Sequence, residues 1–154
     1  MYKVDHFING KSSSESNKTS KIYNPSYGTE IGEVLCATNE VADKAVESAY
    51  EASKAWSKTG LIYRSELILK FRQNVINRSK EIIDLGISEA GKTRPDAEAE
   101  LDRAVQALTH IAGVQHFYPS HYSQNVAGGI DIADLRFPIG CLLYTSPSPR
   151  DQLT

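Results

Sequence analysis

The 154-residue chain has no basic surplus: 17 Lys and Arg stand against 19 Asp and Glu, for a formal net charge of −2. Proteins that hold nucleic acid or anionic membrane by charge usually carry such an excess, so neither partner is expected. No apolar run approaches the roughly 20 residues that a helix needs to cross a bilayer. The N-terminus, MYKVDHFINGK, lacks the apolar core of a secretory signal and the arginine-rich pattern of a transit peptide, so a cytoplasmic protein is expected. There are only two cysteines, Cys36 and Cys141, and neither has a histidine near it in sequence to suggest an activated thiol or a metal cluster. His110, His116 and His121 lack the spacing of a helical zinc pair and read as surface or helix-end residues. G-x-G-x-x-G and G-x-x-x-x-G-K-[ST] are both read as absent, so no phosphate-cradling loop is expected. No catalytic, cofactor-binding or metal-ligating residue is assigned within the chain.

What is present is local structure with clear punctuation. Phe7-Ile8-Asn9-Gly10-Lys11 puts a turn dipeptide behind a short apolar strand and predicts a β-hairpin over residues 4–11. Residues 11–21, nearly all Ser, Lys, Asn and Glu, read as a solvated loop that leads into a strand at 21–24. Asn24-Pro25-Ser26-Tyr27-Gly28 is a turn signal, and residues 30–36 form a strand with Ile31, Val34 and Leu35 around Gly32.

Three helices follow. Thr38 or Asn39 caps the first, Glu40 and Asp43 suit its positive end, and Val41, Ala45, Ala49, Ala52 and Trp56 make its apolar stripe. Trp56 is expected as a core or interface anchor, and Arg64, which opens the second helix, as a member of a buried or interfacial ion pair. Along that second helix Leu67, Ile68, Phe71, Val75, Ile82 and Ile83 recur at helical spacing. Gly91 is placed to take the left-handed conformation that closes it, and Thr93-Arg94-Pro95-Asp96 reads as a cap, a first-turn proline and an acid that launch a third helix from Pro95 to about Phe117. Pro119 ends this helix. Ala97, Leu101, Ala104, Val105, Leu108, Ile111 and Ala112 line one side of it. Asp96, Glu98, Glu100 and Asp102 alternate around it without converging, which is a solvated face rather than a metal site. Residues 123–140 give two short strands, around Val126 and over 130–137, with Gly128-Gly129 between. Val126, Ile130, Ile132 and Leu135 alternate with Asp131, Asp134 and Arg136, a pattern that asks for one covered and one wet face.

Four phrases in order resemble the aldehyde dehydrogenase superfamily: FINGK with YNPSYGTEIGEV, the Ala52–Trp56 stretch, Glu89-Ala-Gly-Lys92, and SQNVAGGIDIADLRFPIG. The last is similar to the methylmalonate-semialdehyde dehydrogenase branch. The resemblance runs from Phe7 to Gly140 and then stops. CLLYTSPSPRD, over 141–151, is similar to the translation of a transposase adapter used in preparing sequencing libraries, and a genuine Pro/Ser-rich linker is the alternative.

The resemblance implies an α/β parent, of which this chain is an N-terminal piece, mostly α-helical (three main helices) with short N- and C-terminal β-hairpins, lacking the Rossmann sheet. It divides the chain into N-terminal strands and loop (1–37), a helical part of the cofactor-binding domain (38–119), a β-arm of the oligomerisation domain (120–140) and a non-native tail (141–154). The parent implied is a homo-oligomer that takes a small aldehyde and NAD: a cysteine thiolate attacks the carbonyl, hydride passes to the nicotinamide, and a thioester remains, resolved in the methylmalonate-semialdehyde branch by coenzyme A with loss of carbon dioxide. The nucleophilic cysteine, oxyanion asparagine, general-base glutamate and dinucleotide sheet are all expected beyond this chain, with Cys36 a small apolar residue. A reading of another class stays open, a non-catalytic helical module that binds a protein through the Val41–Trp56 or Leu67–Ile83 stripes.

Overall fold

The computed structural model describes residues 1–117 and 120–137. Pro119 and the expected tail, Cys141 included, lie outside the described residues.

The chain opens with β1 (Tyr2–Val4), β2 (His6–Ile8), β3 (Lys11–Ser13), β4 (Thr19–Asn24) and β5 (Thr29–Leu35). β2 and β3 form the expected antiparallel hairpin, and Asn9 (φ 52°) and Gly10 (φ 73°) are both left-handed, as the turn type favoured by Asn-Gly requires. The solvated loop expected over 11–21 is shorter than that. Its first residues pair as β3 and its last ones begin β4, because backbone pairing recruits polar side chains that carry no alternation signal. β4 and β5 pair antiparallel across the Asn24–Gly28 turn, where the Gly28 N–H donates to the Asn24 carbonyl at 2.8 Å and the Ser26 N–H to Asn24 Oδ1 at 2.9 Å. β1 adds in parallel to the other edge of β5, giving the order β1-β5-β4.

The three expected helices are present, and two of them are subdivided. α1 is Asn39–Trp56; the second region comprises α2 (Leu61–Asn77) and α3 (Ser79–Ala90); the third comprises α4 (Arg94–Ala112) and α5 (Val114–Phe117). A single non-helical residue makes each break, Arg78 at φ −107°, ψ 16° and Gly113 at φ −84°, ψ 10°. The first break lets α2 run along α4 while α3 turns to meet both α4 and β4. The caps fall where the residues place them. Thr38 Oγ1 accepts from the Val41 N–H, Thr93 Oγ1 from the Asp96 N–H, each at 3.4 Å, and Gly91 is left-handed at φ 62°, ψ 25°.

The core is thin. Leu35, Val41, Ala97 and Ala112 are its buried apolar residues, and buried Ser65 donates its hydroxyl to the Ala112 carbonyl where α2 and α4 approach closely. Ala97, Leu101, Val105, Leu108 and Ala112 turn inward from α4, whereas Ala104 and Ile111 are exposed. Large apolar side chains stay exposed along the helices, Tyr50, Ile62, Tyr63 and Phe71 among them. Beyond Val41 the expected α1 stripe is largely uncovered, with Ala49, Ala52 and Trp56 exposed. Trp56 is therefore no core anchor among the described residues. Periodicity shows that a face needs cover, but it does not say which segment supplies the cover.

β6 (Tyr122–Ala127) and β7 (Ile130–Ala133) make a separate antiparallel hairpin. The second strand stops at Ala133 instead of running to 137, and every residue of both strands is exposed, so the expected covered face has no cover among the described residues. Side chains bind the hairpin to itself. Asp131 accepts from the Tyr122 hydroxyl at 2.5 Å and, through its other oxygen, from the Asn125 N–H at 2.8 Å, which fixes a bulge with Asn125 at φ 52°.

Candidate functional site

The residues with the strongest sequence signature meet at one place, the α3–α4 corner against the β4–β5 turn. Gly91 needs to be glycine twice over. Its φ is left-handed, and a Cβ there would lie 2.9 Å from Pro25 Cγ and 3.1 Å from Ser26 Oγ. The Asn-Pro turn is thus seated in the notch that the helix-ending glycine leaves. On the sheet side, a Cβ on buried Gly32 would lie 2.5 Å from the Tyr2 carbonyl oxygen and 3.2 Å from its ring, so β1 crosses β5 with the tyrosine ring laid over the glycine. The same tyrosine donates its hydroxyl to the Glu89 carboxylate. That hydrogen bond, followed by partial burial and the carboxylate's charge, pushes the phenol up to about 12.

Charge pairs brace the rest of the corner. Lys92, whose side chain is mostly buried, pairs with Glu100 of α4, and Arg94 pairs with Asp84 of α3 at 2.6 Å, which holds the Asp84 carboxyl below its usual range. Arg64 makes a different contact from the ion pair expected of it. Its guanidinium donates to the Trp56 carbonyl at 2.6 Å and the Thr59 carbonyl at 3.0 Å, and lies 5.1 Å from the Trp56 ring centroid. The turn that follows α1 presents carbonyls close by, the Trp56 one already accepting from the Thr59 N–H at 3.0 Å, and these take the cation. Cys36 is half-buried and free, and its N–H donates to the Lys18 carbonyl at 2.8 Å. His110 stacks on Phe117, ring centroids 4.5 Å apart. Among the described residues no three His, Cys, Asp or Glu side chains gather as a metal would need.

The aldehyde dehydrogenase family profile matches residues 12–147, a span that takes in the corner, the β6–β7 hairpin and the first residues of the expected tail. The chain belongs to the aldehyde dehydrogenase family. It is 32% identical over 145 residues to the mouse methylmalonate-semialdehyde/malonate-semialdehyde dehydrogenase [acylating], mitochondrial, covering 94% of this chain and 27% of the relative. It is 29% identical over 133 residues to malonate-semialdehyde dehydrogenase of Bacillus pumilus, covering 86% and 27% respectively. A crystal structure of a methylmalonate-semialdehyde dehydrogenase from Sinorhizobium meliloti complexed with NAD superposes with a TM-score of 0.86 at 32% identity, over 91% of this chain and 29% of that one. The chain therefore spans only about 27–30% of the length of its curated relatives.

The residues described here do not fit a dinucleotide. The described sheets have three, two and two strands, and the one parallel pair, β1 with β5, is not joined by a crossover helix. β5 does lead into α1, but through Cys36-Ala37-Thr38, without glycine. There the Thr38 hydroxyl caps the helix and Glu40, its carboxyl held low chiefly by that hydroxyl, puts a negative charge where a pyrophosphate would sit.

Residues 86–93, GISEAGKT, spell G-x-x-x-x-G-K-T, which the expectation of no phosphate-cradling loop overlooked. The letters do not make the loop, because the first five residues lie in α3 with their N–H groups facing helical carbonyls. Lys92 is engaged by Glu100, Pro95 brings no N–H to the next helix start, and Asp96 adds a negative charge. A phosphate cradle needs a strand before the glycines, and no propensity rule tells helix from loop over so short a string.

Proposed function

We propose that this chain is a structural part of an NAD-dependent methylmalonate- or malonate-semialdehyde dehydrogenase, and that the thiolate nucleophile, oxyanion donor, general base and dinucleotide site belong to portions of the protein beyond it. One observation carries the reading. The described residues reproduce over a quarter of the length of enzymes so named, yet place no cysteine or histidine beside an activating partner. Catalysis by a thiolate needs a base or a cationic neighbour within hydrogen-bond reach, and among the described residues Cys36 has neither. The chain by itself is then inactive. Coenzyme A as acyl acceptor, a homo-oligomeric parent, the helical part of the cofactor domain at 38–119, the oligomerisation arm at 120–140, the non-native tail at 141–154 and a cytoplasmic location belong to the same proposal.

The test is to extend the reading frame of the source DNA past Gly140 and to assay both products. The restored protein should reduce NAD with malonate or methylmalonate semialdehyde and release an acyl-CoA when coenzyme A is supplied. The 154-residue chain should do neither. Turnover by the short chain would defeat the proposal. A natural stop shortly after Gly140 would favour the helical protein-binding module, whose one supporting observation is the exposed α1 face bearing Val46, Tyr50 and Trp56.

A further inference from the structure

The N-terminal strand and the α3–α4 corner are 87 residues apart in sequence and touch through one side-chain pair, Tyr2 and Glu89. β1 is only three residues long and lies at the edge of its sheet, with Lys3 and Val4 exposed, so parallel pairing alone would leave it prone to fray. Two further contacts set the geometry of the pair. Tyr2 can lie across β5 only because Gly32 has no Cβ, and Glu89 is held at a fixed height by the helix end that Gly91 closes against Pro25 and Ser26.

From this juxtaposition we infer that Tyr2 is a latch. Closure of the β1 strap on β5 and tightening of the 86–93 corner are one coupled event, with the Tyr2–Glu89 hydrogen bond as the coupling element. The phenol suits this role, since a hydroxyl donating to a carboxylate makes a charge-assisted hydrogen bond. Were the two regions independent, losing the hydroxyl would loosen only the strap. If they are coupled, each side reports a change made on the other, and two changes on the same bond are not additive.

The experiment is hydrogen exchange by mass spectrometry on the full-length protein, comparing wild type with Tyr2→Phe, Glu89→Ala, the double variant and Gly32→Ala. Exchange over both 29–35 and 86–93 should rise by about two- to ten-fold in each single variant, the loss expected for one hydrogen bond. The double variant should exchange no faster than the faster single one. Gly32→Ala, which lifts the strap by crowding Tyr2, should loosen 86–93 without altering any corner residue. Faster exchange confined to 29–35 in Tyr2→Phe and Gly32→Ala would overturn the latch, as would additive effects in the double variant.

Discussion

Gly91→Ala is the substitution to which the structure assigns the clearest cost. A left-handed backbone costs a residue with a Cβ about 1–2 kcal/mol, and forcing a methyl into filled space adds about 1–3 kcal/mol. Both apply at Gly91, where φ is 62° and the added carbon would stand 2.9 Å from a proline ring carbon that cannot swing aside. The expected destabilisation is therefore about 2–5 kcal/mol, a large share of the 5–15 kcal/mol that holds a typical domain. Two companion variants separate the causes. Gly91→Asn tolerates the left-handed region and should lose only the crowding part, about 1–3 kcal/mol. Gly86→Ala, inside α3 with open space around its Cβ, should instead stabilise by about 0.5–1 kcal/mol. The assay is urea unfolding of the full-length protein followed by far-ultraviolet circular dichroism, read as the shift in midpoint at constant slope. A midpoint for Gly91→Ala equal to wild type, or one no lower than for Gly91→Asn, would refute the reasoning about backbone strain.

The 154-residue chain alone should not unfold as a cooperative monomer, because its helices expose Tyr50, Trp56, Ile62 and Phe71; dye binding or aggregation is expected, and a sharp reversible thermal transition would contradict it. Cys36→Ser in the full-length protein should leave turnover near normal, and loss of the covalent acyl-enzyme would show that the nucleophile had been misplaced. Ile132→Pro should weaken assembly, measured by sedimentation, before it changes titration with NAD, since proline removes a backbone donor from an exposed strand. The arm should also respond to acid. The Asp131 carboxyl is held below its usual range, first by the Tyr122 hydroxyl and then by the Asn125 N–H, so its contribution is complete above the ordinary aspartate value of about 3.9 and is lost as pH falls through the lower folded value. The Asn125 amide resonance followed through that acid range reports it, and an unchanged shift would rule the contact out.

Local chemistry was legible without coordinates wherever one or two residues decide a conformation. Asn9-Gly10, Asn24 to Gly28, Thr38, Gly91 and Thr93 each act on backbone groups within four residues, and each sits where its type predicts. Family phrases were legible for the same reason, being short strings whose glycines and prolines are fixed by backbone geometry. What the sequence could not express is which surfaces meet. The parallel placement of β1, the seat of Pro25 in the Gly91 notch and the reach of Tyr2 to Glu89 all join residues tens of positions apart, and nothing within a local window distinguishes one partner from another. The break at Arg78 interrupts an apolar periodicity that runs on across it, because α2 and α3 answer to different neighbours. The reverse limit holds for GISEAGKT. There the letters of a phosphate loop are complete, and only the helical backbone of α3 decides that its N–H groups are already spent.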